Sequence, residues 1–270
     1  MKRVVLVTGA SAGIGKETAS YLAKNGYTVY GAARRVDKMD DIKKQGVKVI
    51  GMDVTNDESM VMGIKQIIDA EGRIDVLINN AGFGSLGAIE DVSMEDARYQ
   101  FEVNVFGAAR LTQLVLPYMR KQQYGKVVNI SSIGGKIAFP LAGWYHASKF
   151  ALEALSDSLR NEVKQFGIDV IVIEPGGIKS EWSGISEDNA RKVSGKGVYK
   201  PMVEKYASMS ARINPDIPGP ELISSLIKKA IESKTPQTRY SGGHLAGPIL
   251  FMRKVLSDKM MDRVVKSQFN

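Results

Sequence analysis

Tyr145 and Lys149 are the two side chains whose types and spacing most clearly offer chemistry. They stand four residues apart, so a helix places the phenol and the ammonium one turn apart on the same face. A free tyrosine has a pKa of about 10, and a nearby cation lowers that value because it stabilises the phenolate. The pair therefore predicts an acid/base centre in which the pKa of Tyr145 is lowered.

A hydroxyl group for the same centre lies thirteen residues before Tyr145. Ser132 follows an apolar run, in Asn129-Ile130-Ser131-Ser132-Ile133-Gly134, and its hydroxyl is suited to bind a substrate carbonyl oxygen. His146 lies next to Tyr145 in sequence, but a helix turns it about 100° away from the face of Tyr145. We therefore interpret His146 as a neighbour of the centre and not as its general base.

Three glycines follow the first apolar run of the chain, in Thr8-Gly9-Ala10-Ser11-Ala12-Gly13-Ile14-Gly15. Glycines between a strand and a helix permit a tight turn and a close approach of the backbone to a pyrophosphate. The free amides at the helix N-terminus then bind the anion. A helix start that needs positive φ also explains glycines, but not their place after the first of several apolar runs. The loop predicts a dinucleotide site, with candidate contacts from Gly9, Ser11, Gly13, Ile14 and Gly15.

The end of the second apolar run, Gly31-Ala32-Ala33-Arg34-Arg35, bears on the choice of cofactor. A carboxylate commonly stands there in NAD(H)-binding proteins, and none is present. A guanidinium group grips a 2′-phosphate through charge-assisted hydrogen bonds, so Arg34 and Arg35 favour NADP(H) over NAD(H). The alternative is that the two arginines only solvate the end of the strand.

Asp53 and Val54 follow the third apolar run. The Asp53 carboxylate is placed to accept a hydrogen bond from the adenine amino group. It is equally suited to cap the N-terminus of a helix that begins near residue 57. Both interpretations stay open from the sequence, and we count Asp53 and Val54 as candidate cofactor contacts.

Short apolar runs alternate with longer amphipathic segments. The runs are 3–7, 28–32, 47–52, 74–78, 126–130 and 169–173, and helix-like segments lie at about 14–25, 38–45, 57–70, 95–120 and 145–166. Buried strands separated by helices are typical of right-handed βαβ units. The pattern predicts an α/β fold, a doubly wound parallel sheet of Rossmann type with about seven strands and helices on both faces.

We expect the whole chain, 1–270, to form a single domain, because α/β folds often reach about 250 residues as one unit. After residue 175 the pattern loosens. The expected parts are a cofactor-binding and catalytic core at 1–180, a substrate-covering region at 181–235, and a last strand with a C-terminal segment at 236–270.

Composition excludes several classes of protein. The 270 residues include 37 Lys and Arg against 29 Asp and Glu, a net charge of +8, but the basic residues are scattered, so we expect no nucleic-acid partner. With no cysteine and two histidines, neither a disulfide framework nor a metal site is expected. The longest uncharged run, Val76 to Ile89, is too short and polar to cross a bilayer. Without a signal-like N-terminus, we expect a cytoplasmic protein.

Over about residues 3–180 the chain resembles the short-chain dehydrogenase/reductases, in their short single-domain branch. The similarity rests on the glycine loop, on Asp53, on Asn79-Asn80-Ala81-Gly82, on Asn104-Val105-Phe106-Gly107, on Ser132 with Tyr145 and Lys149, and on Pro175-Gly176-Gly177-Ile178-Lys179-Ser180. Ser180 stands where the family more usually has threonine, which keeps the hydroxyl group.

The resemblance implies a role for each matching residue. Tyr145 is the general acid/base, Ser132 orients the carbonyl, and Lys149 holds the nicotinamide ribose and tunes Tyr145. Asn104 anchors a water in a proton relay. Further cofactor contacts are implied for Asn80, Ala81, Gly82, Pro175, Gly176, Ile178 and Ser180.

The implied activity is hydride transfer between NADP(H) and a carbonyl or alcohol substrate, with Tyr145 moving the proton. Residues 235–240 weakly resemble a strand of retinol- and hydroxysteroid-dehydrogenase-like members, which points to a hydrophobic ketone, aldehyde or secondary alcohol. Phe83, Phe139, Trp182 and Ile185 are candidates to line its pocket. A cofactor-sensing regulator without turnover is the alternative function. The resemblance also implies a homodimer or homotetramer built on the helices near 98–120 and 145–166.

Two features of the C-terminal part admit other interpretations. Met202, Met209, Met252, Met260 and Met261 are interpreted as flexible apolar filler or an adaptable lid. The basic, Met-rich segment 248–265 resembles an amphipathic membrane anchor, but a C-terminal helix packed on the domain explains the same pattern.

Overall fold

The computed structural model describes residues 2–213 and 217–269, and the side chains of 181–183, 212 and 213 lie outside the description. Its centre is one sheet of seven parallel strands in the order β3-β2-β1-β4-β5-β6-β7. The strands are β1 (Val4–Thr8), β2 (Thr28–Ala33), β3 (Lys48–Gly51), β4 (Val76–Asn79), β5 (Gly125–Ile130), β6 (Ile168–Pro175) and β7 (Arg239–Gly242). The predicted parallel α/β sheet is confirmed.

Helices cover both faces of this sheet. They are α1 (Gly13–Lys24), α2 (Asp40–Lys44), α3 (Asp57–Glu71), α4 (Met94–Phe101), α5 (Gly107–Gln122), α6 (Gly143–Val163), α7 (Glu181–Ser194), α8 (Lys200–Ile213), α9 (Glu221–Glu232), α10 (Ala246–Val255) and α11 (Asp258–Phe269). None of the described helices is long and apolar enough to cross a membrane.

The residues of β1 show why the sheet is buried on both sides. Successive side chains of a strand point to opposite faces. Val5 and Val7 join the core cluster that includes Leu22 of α1 and Ile227 of α9. Leu6 joins the opposite cluster, with side chains from α3 and α5. All five residues of β1 are buried, which explains why this strand has a nearly continuous apolar sequence.

The strand order determines where a ligand can bind. The chain builds β1, β2 and β3 toward one edge and then returns to place β4 on the other side of β1. The connections that follow β1 and β4 therefore lead toward opposite edges of the sheet. Such a switch point is the usual position of the ligand crevice in an open parallel sheet.

Two segments differ from the expected elements. The expected helix at 95–120 is divided by a π-helical turn, Glu102–Phe106, so α4 and α5 are separate. The region after residue 175 contains α7 and α8, although its sequence pattern is loose. Ala190 and Val203 are buried there, but they pack in a small separate cluster with Leu86 and Leu141, so little of each helix needs to be apolar.

Candidate active site

A cleft of about 990 Å³ lies above the carboxyl ends of the strands. One part is lined by the loops that follow strands β1 to β6, and the other by α8, α10 and α11. Of the predicted site residues, those that line it are Gly9, Ser11, Gly13, Ile14, Arg34, Arg35, Asp53, Val54, Asn80, Ala81, Gly82, Ser132, Tyr145, Lys149, Pro175, Gly176, Ile178 and Ser180.

The structure brings Ser132, Tyr145 and Lys149 together at the centre of this cleft. α6 carries Tyr145 and Lys149 one turn apart, and Lys149 Nζ lies 5.9 Å from the centroid of the Tyr145 ring. Lys149 Nζ donates a hydrogen bond to Ile130 O at 2.8 Å, which ties it to the end of β5. Ser132 Oγ accepts from Gly134 N at 3.0 Å, and its hydroxyl is hydrogen-bonded to Tyr145.

The lowered pKa that the spacing predicts for Tyr145 is wrong in this structure. Burial raises the pKa of Tyr145, and the hydrogen bond with Ser132 opposes that change. Burial lowers the pKa of Lys149 to about 8, although the nearby Glu153 raises it. Each group is desolvated, which favours its neutral form. Burial therefore outweighs the hydrogen bond with Ser132 in setting the direction of the pKa of Tyr145.

Asn104 lies in the π-helical turn, behind the cleft lining. Its Oδ1 accepts from Phe83 N at 3.0 Å, while Nδ2 donates to Phe83 O and to Ser148 Oγ, both at 2.9 Å. The side chain thus joins the loop after β4 to α6. These bonds use both amide hydrogens of Asn104. The predicted relay water could therefore contact only the remaining lone pair of Oδ1 or the backbone of the π-helical turn, a device that recurs at functional sites.

His146 takes a larger part in the site than the sequence suggests. It is 5% exposed, lines the cleft and packs between Phe139 and Tyr145, with ring centroids 5.6 and 5.7 Å away. Its Nδ1 lies 3.0 Å from Gly134 O, and because a carbonyl only accepts, Nδ1 must donate. Burial lowers the pKa of His146. The neutral ring therefore fixes the loop that carries Ser132.

The glycine loop fits a bound pyrophosphate. Gly9 and Gly13 have φ of +68° and +53°, and a Cβ on Gly9 would lie 2.8 Å from Asn80 Nδ2. The first turn of α1 contains no acidic residue, and no described side chain caps it, so its amides remain for an anion. Gly15 does not line the cleft; a Cβ there would collide with the Asn80 side chain, so its role is close packing.

The loop after β4 is held against this glycine loop by Thr8. Thr8 Oγ1 accepts hydrogen bonds from Asn80 N and Ala81 N, both at 3.0 Å. Asn80 Nδ2 donates to Thr8 O at 2.9 Å. Thr8 and Asn80 therefore join the two loops of the switch point, a role that sequence reasoning did not assign to Thr8.

Arg34, Arg35 and Asp53 gather at the adenosine end of the cleft. Arg34 Nη1 donates to Tyr99 Oη at 2.6 Å and lies 4.0 Å from Asp53 Oδ2. Asp53 does not cap α3, because its carboxylate accepts from Thr55 N and Thr55 Oγ1 at 2.9 and 2.8 Å. The cap of α3 is a different residue, Asn56, which accepts from Ser59 N at 2.8 Å.

Behind Lys149 lies a cluster of charged side chains from three elements. Glu153 of α6 pairs with Lys136 at 2.8 Å and with Arg239 of β7 at 2.9 Å, and Arg239 also pairs with Asp157 at 2.8 Å. Oε1 of Glu174, on β6, lies 3.4 Å from Arg239 Nε. This buried oxygen accepts no hydrogen bond from any described group. Burial and Glu153 raise the pKa of Glu174 to about 7. Arg239, in the segment expected to indicate substrate, therefore belongs to this cluster.

The substrate part of the cleft was only partly predicted. Phe83, Phe139 and Ile185 line it, whereas the side chain of Trp182 lies outside the described part of the chain. Sequence reasoning missed Tyr206 of α8, which packs in one cluster with Tyr145. Burial raises the pKa of Tyr206 to about 12. Sequence reasoning also missed most of the cleft wall that α10 and α11 form. The amphipathic spacing of both segments was the signal that could have identified it.

Comparison with known proteins gives matches along nearly the whole chain. The family model described as short chain dehydrogenase matches residues 3–190. A 3-ketodihydrosphingosine reductase of Bacteroides thetaiotaomicron is 37% identical, with 98% of this chain and 97% of the relative covered. An NADPH-dependent 3-dehydrocapnine reductase of Ornithobacterium rhinotracheale is 31% identical, with 97% and 95% covered. The crystal structure of a short-chain dehydrogenase from Streptomyces avermitilis is 33% identical and superposes with a TM-score of 0.80, covering 99% of this chain and 95% of that chain.

Proposed function

This chain belongs to the short-chain dehydrogenase family of oxidoreductases, and we propose that it is an NADP(H)-dependent enzyme that interconverts a hydrophobic carbonyl compound and its alcohol. One observation carries the proposal: Ser132, Tyr145 and Lys149 line the same cleft as the glycine loop. The relatives described above are named as reductases of keto and dehydro compounds, which supports a ketone as substrate.

The chemistry of the site follows from its hydrogen bonds. The nicotinamide, when bound, supplies or accepts the hydride. The Ser132 hydroxyl binds the carbonyl oxygen, and Tyr145 donates its proton to that oxygen as negative charge develops. Lys149, with its Nζ held at Ile130 O, is placed to bind the ribose hydroxyls. Because burial raises the pKa of Tyr145, the phenol stays protonated, which is the form that reduction requires.

The preference for NADP(H) is supported by the adenosine end of the cleft. Arg34 and Arg35 both line it, and the side chain of Arg34 is 63% exposed, so it can turn toward a 2′-phosphate. The Asp53 carboxylate accepts two hydrogen bonds from Thr55, so it is already hydrogen-bonded without Arg34. The name of the relative from Ornithobacterium rhinotracheale, which includes NADPH dependence, supports the same preference.

Turnover with a panel of ketones tests the proposal against the regulator alternative. We expect the purified protein to consume NADPH when a hydrophobic ketone is added. Tyr145→Phe is expected to lose at least 99% of kcat, because the ring still packs but the proton donor is gone, and to keep its Kd for NADPH within about threefold. NADPH binding without consumption by the wild type would favour the regulator, and a variant that keeps a tenth of kcat would remove Tyr145 from the acid/base role.

A further inference from the structure

The cleft continues beyond Tyr145 as an apolar arm between α8, α10 and α11. We infer that the substrate carries an unbranched alkyl tail of roughly nine carbons or more, which lies along this arm; the inference rests on the proposed function. The arm is lined by Met209 of α8, by Leu245, Pro248, Ile249 and Met252 at α10, and by Met261, Val264, Val265, Gln268 and Phe269 of α11.

The spacing of these residues shows that the arm is long. The α11 residues stand at positions i, i+3, i+4, i+7 and i+8 from Met261, so they form one stripe along the helix. From Met261 to Phe269 the stripe runs about 12 Å, at about 1.5 Å per residue. The stripe from Leu245 to Met252 runs about 10 Å by the same rise. The two helices therefore supply walls of similar length to one cleft.

The chemistry of the arm favours a tail without charge. Among the described residues that line the cleft after Lys149 in the chain, none is a lysine, arginine, aspartate or glutamate. The charged residues of α11 lie elsewhere on that helix: Lys259, Arg263 and Lys266 are exposed to solvent. A charged group placed in the arm would lose its water without gaining an oppositely charged partner. The arm therefore suits hydrocarbon.

The shape of the occupant follows from the length and the side-chain types. An extended hydrocarbon advances about 1.3 Å per carbon, from a bond of about 1.52 Å at a tetrahedral angle, so a wall of 12 Å matches about nine carbons. Met209, Met252 and Met261 contribute to the wall, and methionine adapts to irregular, flexible surfaces. An adaptable wall of this kind suits an alkyl chain better than a rigid polycycle.

The test is a homologous series of methyl ketones, from 2-butanone to 2-tetradecanone, with NADPH consumption as readout. We expect kcat/KM to rise by about fourfold per methylene, which is the factor for complete burial of each group, and to level off once the tail exceeds about nine carbons. A flat series, or a polycyclic ketone preferred over all linear ones, overturns the inference while turnover itself still supports the proposed function. No turnover of any ketone overturns both.

Variants locate the effect in the arm. Val265→Phe fills the middle of the α11 stripe, and we expect it to lower the ratio of kcat/KM for 2-dodecanone to that for 2-butanone at least tenfold. Met252→Trp narrows the opposite wall and is expected to lower the same ratio. Val255→Phe is the matched control, since Val255 is 58% exposed and does not line the cleft; its ratio should equal that of the wild type. NADPH binding checks that each variant is folded, and unchanged ratios in both wall variants contradict the inference.

Discussion

Lys149 and Glu153 lie one turn apart on α6 and show how the site balances two opposing effects. Burial lowers the pKa of Lys149, and the carboxylate of Glu153 raises it, with a result of about 8. Lys149 is thus close to losing its proton at the pH of a typical cell. Glu153 is itself held by Lys136 and Arg239, so its charge is fixed in place beside the ammonium.

Replacing Glu153 by glutamine should lower the pKa of Lys149 further. The ammonium form binds the ribose hydroxyls more strongly than the amine does, so activity should fall as the pH rises through about 8 in the wild type. In Glu153→Gln the fall should begin at a lower pH, because the stabilising carboxylate is gone. The measurement is the pH dependence of kcat/KM for a ketone and of the Kd for NADPH.

Asp157→Asn is the control for this prediction. Asp157 contacts the same Arg239 but lies one further turn from Lys149. Its loss should therefore disturb the cluster without changing the pH at which activity falls. If activity falls at the same pH in both variants as in the wild type, Glu153 has no influence on the pKa of Lys149 and only holds the charge cluster together.

Cofactor choice should be reversible at Ala33 and Arg34. Ala33→Asp with Arg34→Leu replaces attraction for a 2′-phosphate by repulsion and offers an acceptor to the ribose hydroxyls of NADH. A charge-assisted hydrogen bond contributes about 1.5 to 3 kcal/mol, which corresponds to about ten- to a hundredfold in affinity. The ratio of kcat/KM for NADPH to that for NADH should therefore fall at least about a hundredfold.

Salt provides an independent check on the same arginines. The side chain of Arg34 is 63% exposed, and exposed charges are screened over about 10 Å at 0.1 M salt. The wild-type preference for NADPH should therefore shrink as ionic strength rises, and the double variant should show little salt dependence. A wild type that prefers NADH would mean that the two arginines only solvate the end of β2.

At the scale of elements, the charge cluster joins α6, β6 and β7, and Glu174 is its least satisfied member. Glu174 is 4% exposed, and its pKa is raised from about 4.5 to about 7. The folded state therefore holds a proton that the unfolded state has released between these pH values. The contribution of Glu174 to the free energy of unfolding is therefore greatest below about pH 4.5 and is lost as the pH rises through about 7.

Glu174→Gln should remove this pH-dependent loss. Relative to the variant, the wild type should lose up to about 3 kcal/mol in free energy of unfolding between pH 5 and pH 8. Urea denaturation of both proteins at the two pH values measures the difference. An equal difference at both values would show that Glu174 titrates in the folded protein as it does in the unfolded chain.

The strands were predictable because parallel strands are buried on both faces. β1 is buried throughout, and a continuous apolar run is then a direct sign of a strand. The walls from α10 and α11 were not predictable in the same way, because their apolar residues face a cleft and not the main core. The pKa of Tyr145 could not be read from the spacing, since it depends on burial by residues from other parts of the chain.

At the scale of the whole molecule, α6 and the π-helical turn before α5 expose large apolar side chains. Phe150 and Leu155 of α6 are 44% and 45% exposed, and Phe106, directly before α5, is 56% exposed. Single exposed apolar residues are normal, but these helices are the ones on which the family resemblance places a subunit interface. We therefore expect a homodimer or homotetramer that buries these three side chains.

Phe150→Glu with Leu155→Glu should convert that oligomer to a monomer, because two charges would be buried without partners. Light scattering coupled to size-exclusion chromatography measures the mass of each. Val198→Glu is the control, since Val198 is 84% exposed and lies outside α5 and α6. A wild type that elutes as a monomer, or a double variant that keeps its mass, would contradict the proposed interface.

The position of β7 in the chain has a consequence for synthesis. Because Arg239 opens β7, long after the end of β6 at Pro175, this partner of Glu153 and Asp157 is synthesised well after both acids. A nascent chain that has already formed α6 and β6 would hold these acids beside Glu174 with one cation fewer, and β6 would be an open edge with unpaired backbone groups. The seven-stranded sheet is therefore completed only after β7 has been synthesised and has paired with β6.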